Sequence, residues 1–285
     1  MRKVIFLLTL PLLMFVFTSC EEDDSILSGP SDDDMQPVSD NMKAEKGIMN
    51  AISYMNPYGL DEDLSGKSVS VDPQFVWIDA SEYIIKVDFA NVDGSGGSIT
   101  INYDSNPFAL NLDEIAAVGT LENYISDGVT YNGDVNFALA NGQSTPEFTL
   151  SNTDFEALTM AQGSNVATWL GTKTFIWMDG SDTPFQRLDD MFETSGSATG
   201  VSVLGYNYSV ESSGLILTPD CEYVMAGTMV IKNMVGSEDE TTLTMNYSVN
   251  ANGDELEQPD CNPYFKLNFL SPSMELNILM NMNDF

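Results

Sequence analysis

Tyr83-Ile84-Ile85-Lys86-Val87-Asp88-Phe89-Ala90, answered by Ser98-Ile99-Thr100-Ile101-Asn102-Tyr103, decides the fold class. Tyr83, Ile85, Val87 and Phe89 alternate with Ile84, Lys86, Asp88 and Ala90; Ile99, Ile101 and Tyr103 alternate with Thr100, Asn102 and Asp104. A period of two with one apolar face is what a half-buried antiparallel strand requires. The same pattern returns late in the chain, where Leu243, Met245, Tyr247 and Val249 alternate with Thr242, Thr244, Asn246 and Ser248. Turn dipeptides that tolerate positive φ punctuate the region between: Asp93-Gly94, Asp127-Gly128, Asn132-Gly133, Asn141-Gly142, Asp179-Gly180 and Asn252-Gly253. Residues 66–285 are therefore expected to form an all-β antiparallel body, a meander, sandwich or barrel, with no long helix in it.

Upstream the signals change. Residues 42–60 hold one short helical segment, with Met42, Met49, Ile52 and Met55 at helical spacing and Pro57 and Gly59 as the stop. Gly47 inside it costs about 1 kcal/mol relative to Ala. Residues 20–41 hold eight acidic residues between 21 and 40 and no Lys or Arg, which predicts a disordered acidic tether. Residues 1–19 have the layout of a secretory signal: Arg2 and Lys3, then an apolar run over 4–17 that falls short of the ~20 residues a spanning helix needs. The end of that run, Phe17-Thr18-Ser19-Cys20, resembles a bacterial lipobox, with Phe17 where Leu is usual, and implies that Cys20 is lipidated. Glu21-Glu22-Asp23-Asp24 directly after it resembles the export signal of Bacteroidota surface lipoproteins, and Asp24-Ser25-Ile26 the short O-glycosylation acceptor of that phylum. These resemblances imply an outer-membrane, lipid-anchored address facing the exterior, and the anchor would be stable because each buried acyl methylene contributes ~0.8 kcal/mol.

Composition narrows the chemistry. The chain has 285 residues, 43 acidic and 10 basic, for a formal charge of -33, and it has no histidine. Ser-His-Asp and Cys-His catalytic units and His-ligated zinc or haem are thereby excluded. Ten scattered cations build no phosphate-tracking surface, so nucleic acid is not an expected partner.

Cys221 and Cys261 each sit in a Pro-Asp-Cys triplet, forty residues apart. In an oxidising compartment two such thiols pair, the competing arrangement being two buried free thiols. Phe175-Ile176-Trp177-Met178-Asp179-Gly180, Thr183-Pro184, Leu188-Asp189-Asp190, Gly196-Ser197-Ala198-Thr199-Gly200, Cys221, Ala226-Gly227-Thr228 and Cys261 together resemble a family of Bacteroidota exported lipoproteins. The resemblance covers residues 143–262 and implies a β-rich exported lipoprotein, with no activity attached. Members carry two Thr-Ile-Asp-Phe/Tyr-Gly-Asp-Gly strands. Here the counterparts, Thr100-Ile101-Asn102-Tyr103 and Thr244-Met245-Asn246-Tyr247, have Asn for Asp and lack the Gly-Asp-Gly turn.

Asp179, Asp182, Asp189 and Asp190 form the densest acidic cluster of the body, and hard oxygen ligands suit Ca²⁺; Asn91-Val92-Asp93-Gly94-Ser95-Gly96 is similarly oxygen-rich. Asp, Asn and Gly also make ordinary hairpin turns, and neither stretch has the full twelve-residue calcium loop. A glycosidase needs only two suitably spaced carboxylates, a weak signal in so acidic a chain, and Arg187 beside Asp189 and Asp190 reads as a local ion pair. Trp77 and Trp169 are the candidate sugar-stacking rings, while Phe175 and Trp177 on one strand face, with Ile176 and Met178 on the other, read as a buried central strand. The sixteen Met residues, ending in Met274, Met280 and Met282, read as core filler and end packing. The expected function is non-catalytic binding of an extracellular polymer or glycan, the alternative an accessory role toward another envelope protein.

Overall fold

A computed structural model describes residues 30–55, 73–89, 96–107, 114–140, 147–179, 191–218 and 221–282. Among these residues one helix, α1 (Asp32–Met55), precedes fourteen strands: β1 (Gln74–Asp79), β2 (Ile84–Asp88), β3 (Gly96–Tyr103), β4 (Glu114–Ser126), β5 (Val129–Ala140), β6 (Glu147–Ser151), β7 (Leu158–Gln162), β8 (Asn165–Asp179), β9 (Met191–Val201), β10 (Asn207–Thr218), β11 (Cys221–Asn233), β12 (Thr241–Asn246), β13 (Tyr264–Ser271) and β14 (Met274–Asn281). All belong to one antiparallel meander, so the all-β expectation holds. β6 and β7 share a single lane between β5 and β8, β7 pairing Thr130, Tyr131 and Asn132 of β5 and β6 pairing its second half. Asn152, fully buried where the lane is broken, stitches the gap: its amide donates to the Trp169 carbonyl at 2.9 Å and accepts from Gly171 N–H at 2.7 Å.

The alternation in the two opening strands does what the pattern predicts. Ile85, Val87, Phe89, Ile99, Ile101 and Tyr103 all lie in the core, as do Leu243, Met245, Tyr247 and Val249. Asp127-Gly128 makes the expected two-residue turn between β4 and β5, both residues at positive φ (51° and 75°), and Asn252-Gly253 lies in a turn closed by Asn250. Asn132-Gly133 corrects the turn reading. It lies inside β5 at a register shift, with Gly133 at φ 138° and the Asn132 side chain accepting from Asn123 N–H at 2.7 Å. The extra residue is on β4, where Leu121 to Tyr124 faces Gly133 to Tyr131, and a bulge of this kind bends a strand without ending it. Asp93-Gly94, Asn141-Gly142 and Gly180 lie outside the described residues.

The helix overturns the tether boundary. Residues 32–41, expected as part of a disordered spacer, are nearly the first three turns of α1, and Val38, Asp40 and Asn41 are buried. Ser31 caps the end: its N–H and Oγ donate to the Asp34 carboxylate at 3.0 and 2.6 Å, and its Oγ accepts from Asp34 N–H. The acidic run Asp32-Asp33-Asp34 therefore sits where the helix dipole favours negative charge. Pro37, inside the helix, leaves the Asp33 carbonyl without its usual N–H donor, and the Asn233 side chain, 200 residues away, donates to that oxygen at 3.3 Å. The buried stripe is Val38, Asn41, Ala44, Ile48 and Ala51, while Met42, expected on the apolar stripe, is 45% exposed. Gly47 is there for fit: a Cβ would overlap the Tyr131 ring, whose hydroxyl donates to the Lys43 carbonyl at 2.8 Å.

The helix also sets the shape of the sheet. Its first turn touches Asn233 of β11 and Thr241 of β12, and Tyr54 near its end packs on Phe75 of β1 and on Phe89. From β1 to β12 is ten strand-to-strand steps, ~48 Å along the sheet at ~4.8 Å each, whereas residues 33–54 of a helix span only ~32 Å. The sheet therefore curls round α1. Among the described residues β1 and β14 do not pair with each other, so the curl stays open. Burial raises the phenol pKa values of Tyr103, Tyr131, Tyr208 and Tyr247, and that of Tyr124 to about 12, as expected of rings held in this interior.

Cys221, at the start of β11, is disulfide-bonded to Cys261 in the segment leading to β13. Met274, Met280 and Met282 pack against the core, as end packing requires. The residues of the signal and lipobox, with Cys20 and the run 21–24, lie outside the described residues.

Candidate functional site

Three places qualify as sites: the polar seam under the helix, a small cavity on its flank, and the outer face of β8, β9 and β10. The seam is built from α1 and β8. Lys173, only 2% exposed, meets Glu45 Oε1 at 2.7 Å and donates to Ser212 Oγ at 2.6 Å. Asn41 donates to the same Glu45 oxygen at 2.8 Å and accepts from the Trp169 indole N–H at 3.2 Å. A buried cation needs both a counter-charge and hydrogen bonds, and this arrangement supplies both. Every group is engaged with another part of the fold, so the seam is a clamp on the helix. Glu45→Ala is expected to cost about 3 kcal/mol in denaturant unfolding, the lower end of the ~3–5 range for stranding a buried charge. Lys173→Met should cost less, because Glu45 keeps 22% of its side chain in solvent and can be hydrated. A Lys173→Met loss exceeding that of Glu45→Ala would contradict the assignment.

The flank cavity, about 120 Å³, is lined by Gln36, Asp40, Lys43, Met160, Gln162 and Val203 among others. Its polar groups are already engaged: Gln36 donates to Asp40 at 2.9 Å, Val203 N–H donates to the other Asp40 oxygen at 2.9 Å, and Lys43 donates to Gln162 at 3.1 Å. A space of this size suits a few waters more than an organic ligand.

The outer face is different. Cross-strand pairing places Leu170, Thr199 and Ser209 in one row and Thr172, Ser197 and Glu211 in the next, all on the side away from α1. With Thr153 they line a trough of about 360 Å³. Gly171 completes its floor together with Ala198 and Val210, whose side chains point toward the core. The trough exists because three neighbouring strands carry only small hydroxylated side chains there, apart from Leu170 and Glu211. Chemically it offers hydroxyls, one carboxylate and one apolar contact, which suits hydrogen bonding to a polyhydroxylated ligand. Its lining holds one carboxylate, and the paired-carboxylate hydrolysis considered above needs two.

The sequence-nominated residues fall mostly elsewhere. Trp169 is fully buried beneath α1, which corrects its reading as a sugar-stacking ring. Trp77, opposite Ile85, lies on the core side of β1 and is 40% exposed at the rim, well away from the trough on β8, β9 and β10. Trp177 is half-buried against Phe192, ring centroids 5.7 Å apart, and Met178 is 49% exposed; only one face of β8 is buried, on alternate residues from Ala167 to Phe175, which corrects its reading as a strand buried on both faces. Of the acidic cluster, Asp179 is exposed at the end of β8, while Asp182, Asp189 and Asp190, like Arg187 and Asn91 to Ser95, lie outside the described residues. Among the described residues no group of three potential ligands is arranged to hold a metal ion. Sequence reading missed the trough because its signal, Thr and Ser on alternate positions, is also that of any solvated strand face.

No protein-family model matches the chain, and neither a curated protein nor a solved structure is significantly similar to it.

Proposed function

We propose that this chain is a lipid-anchored lipoprotein of the outer membrane, facing the cell exterior, that binds a hydroxyl-rich extracellular polymer such as a glycan and performs no catalysis on it. The lipobox-like Phe17-Thr18-Ser19-Cys20 and the acidic run behind it support the address, in keeping with the Bacteroidota lipoproteins the sequence resembles. The outer trough carries the binding assignment, with the row Thr172, Ser197 and Glu211 at its centre. Exchanging water for ligand hydroxyls gains only ~1 kcal/mol per hydrogen bond, so one site of this kind binds weakly. A repeating polymer meeting many copies on one membrane gains avidity without stronger contacts, which fits a shallow site on an anchored protein.

The test joins address and binding. Protease shaving of intact cells is expected to remove the body while a periplasmic control survives, and purified full-length protein is expected to be retarded in gels containing a matching soluble polysaccharide. Ser197→Tyr fills the trough from an exposed position; it should abolish retardation while stability changes by no more than about 0.5 kcal/mol. Retardation unchanged in Ser197→Tyr would remove the trough from consideration. A protein partner in the envelope is the second candidate, favoured by the open end of the sheet.

A further inference from the structure

The last strand of the meander is unusually well prepared to be joined. β14 pairs with β13 along all eight of its residues, Ser271 opposite Met274 through Tyr264 opposite Asn281, with no register shift. Counting from the two-residue turn, Met274, Leu276, Ile278 and Met280 direct their backbone groups toward β13, and Met282 N–H continues the series by donating to the Pro263 carbonyl at 2.8 Å. Glu275, Asn277 and Leu279 therefore direct theirs away from the sheet, where no described strand lies. Edges are ordinarily guarded by charge, proline, a bulge or brevity. β1, at the other end, has a register shift at Trp77 and six residues. β14 has one charge, Glu275, at its start, and no proline.

Charge points to the occupant. The chain carries a formal -33, yet residues 264–282 contain one Lys and one Glu and are net neutral. We propose that β14 is the interface with a second copy of this chain, two β14 strands pairing antiparallel about an axis through Ile278 and continuing the sheet from one copy into the other. In that register Asn277 and Leu279 exchange four backbone bonds with Leu279 and Asn277 of the second copy. The core-side face matches apolar to apolar, Ile278 on Ile278, Leu276 on Met280 and Met274 on Met282, which covers side chains left half-buried in one copy. On the outer face Glu275 lies opposite Asn281 of the second copy. The two Glu275 carboxylates are then six residues apart along the strand, ~20 Å, more than twice the ~8 Å screening length at physiological salt. A one-residue slip would set core-facing apolar side chains against the outer face, so the register is specified. The pairing is isologous, as a two-fold dimer requires, and it goes beyond the polymer assignment, which uses β8, β9 and β10 in the middle of the sheet.

Two measurements test it on the full-length chain. Sedimentation in density-matched detergent is expected to give a dimer mass, and Leu279→Pro, which removes an outward N–H and leaves the β13 ladder intact, is expected to give a monomer with a cooperative unfolding transition. Mild oxidation on cells should cross-link Ile278→Cys into a dimer on non-reducing gels, because a non-hydrogen-bonded pair sets its Cα atoms ~4.5 Å apart, within disulfide reach. Glu275→Cys should stay uncross-linked. A monomeric wild type, a dimer that survives Leu279→Pro, equal cross-linking from Glu275→Cys, or an Ile278→Cys adduct with a protein of different mass would each overturn the proposal.

Discussion

Replacing Trp169 by alanine is expected to cost about 5 kcal/mol, the top of the ~3–5 range for deleting a large buried aromatic side chain. The indole is fully buried between β8 and α1, and its loss opens a cavity under the middle of the helix. It also removes the N–H that donates to Asn41 at 3.2 Å, leaving the oxygen of a fully buried amide without that donor. Natural domains hold ~5–15 kcal/mol in total, so this one change consumes a large part of the margin. Trp169→Phe keeps most of the apolar surface and loses the donor alone; about 1–3 kcal/mol is expected. Guanidinium unfolding followed by circular dichroism measures both. A Trp169→Ala loss under 2 kcal/mol would mean that this ring does not hold α1 on the sheet.

Breaking the Cys221–Cys261 bond is expected to cost about 4 kcal/mol, from the chain-entropy estimate for a loop of 40 residues. The loop encloses β11 and β12 and the long connection that follows, where regular structure is sparse: Val249 and Glu255 make one isolated bridge, and residues 256–263 form no strand. That connection has little apolar burial to fix it, so the covalent tie restrains what packing does not. Cys221→Ser with Cys261→Ser, compared with wild type under oxidising conditions, gives the difference from urea midpoints and slopes. The slope should change as well, since the unlinked denatured chain exposes more surface. Equal midpoints would show the bond to be dispensable.

The strand content was legible because burial on a pleated sheet imposes a period of two that few other structures imitate. Ile85, Val87, Ile99, Ile101, Leu243 and Met245 are in the core for that reason. The cysteine pairing was expected from the count of cysteines and the oxidising compartment that the leader suggests. The helix was half legible: its residues 42–55 showed, but the acidic run before them looked like a solvated spacer. Charge at a helix N-terminus and charge in a disordered linker have the same composition. What separates them is whether Ser31 caps a helix whose Val38, Asn41 and Ala44 find a surface, and that surface is supplied by strands 100 to 200 residues downstream.

Taken alone, the amino-acid order determined an all-β antiparallel body, a single helix before it, a staple between Cys221 and Cys261, and a chain without imidazole chemistry. These are local properties: periodicity, turn residues and composition act over a few neighbours. Tertiary structure alone decided that α1 lies in the curl of the sheet, that Trp169 and Lys173 serve as its clamps, that Asn132-Gly133 lies opposite a bulge of β4 instead of in a turn, and that β14 is the last strand of the described sheet. Each depends on which distant strands become neighbours, and alternation, which says only which side of a strand is apolar, is blind to that.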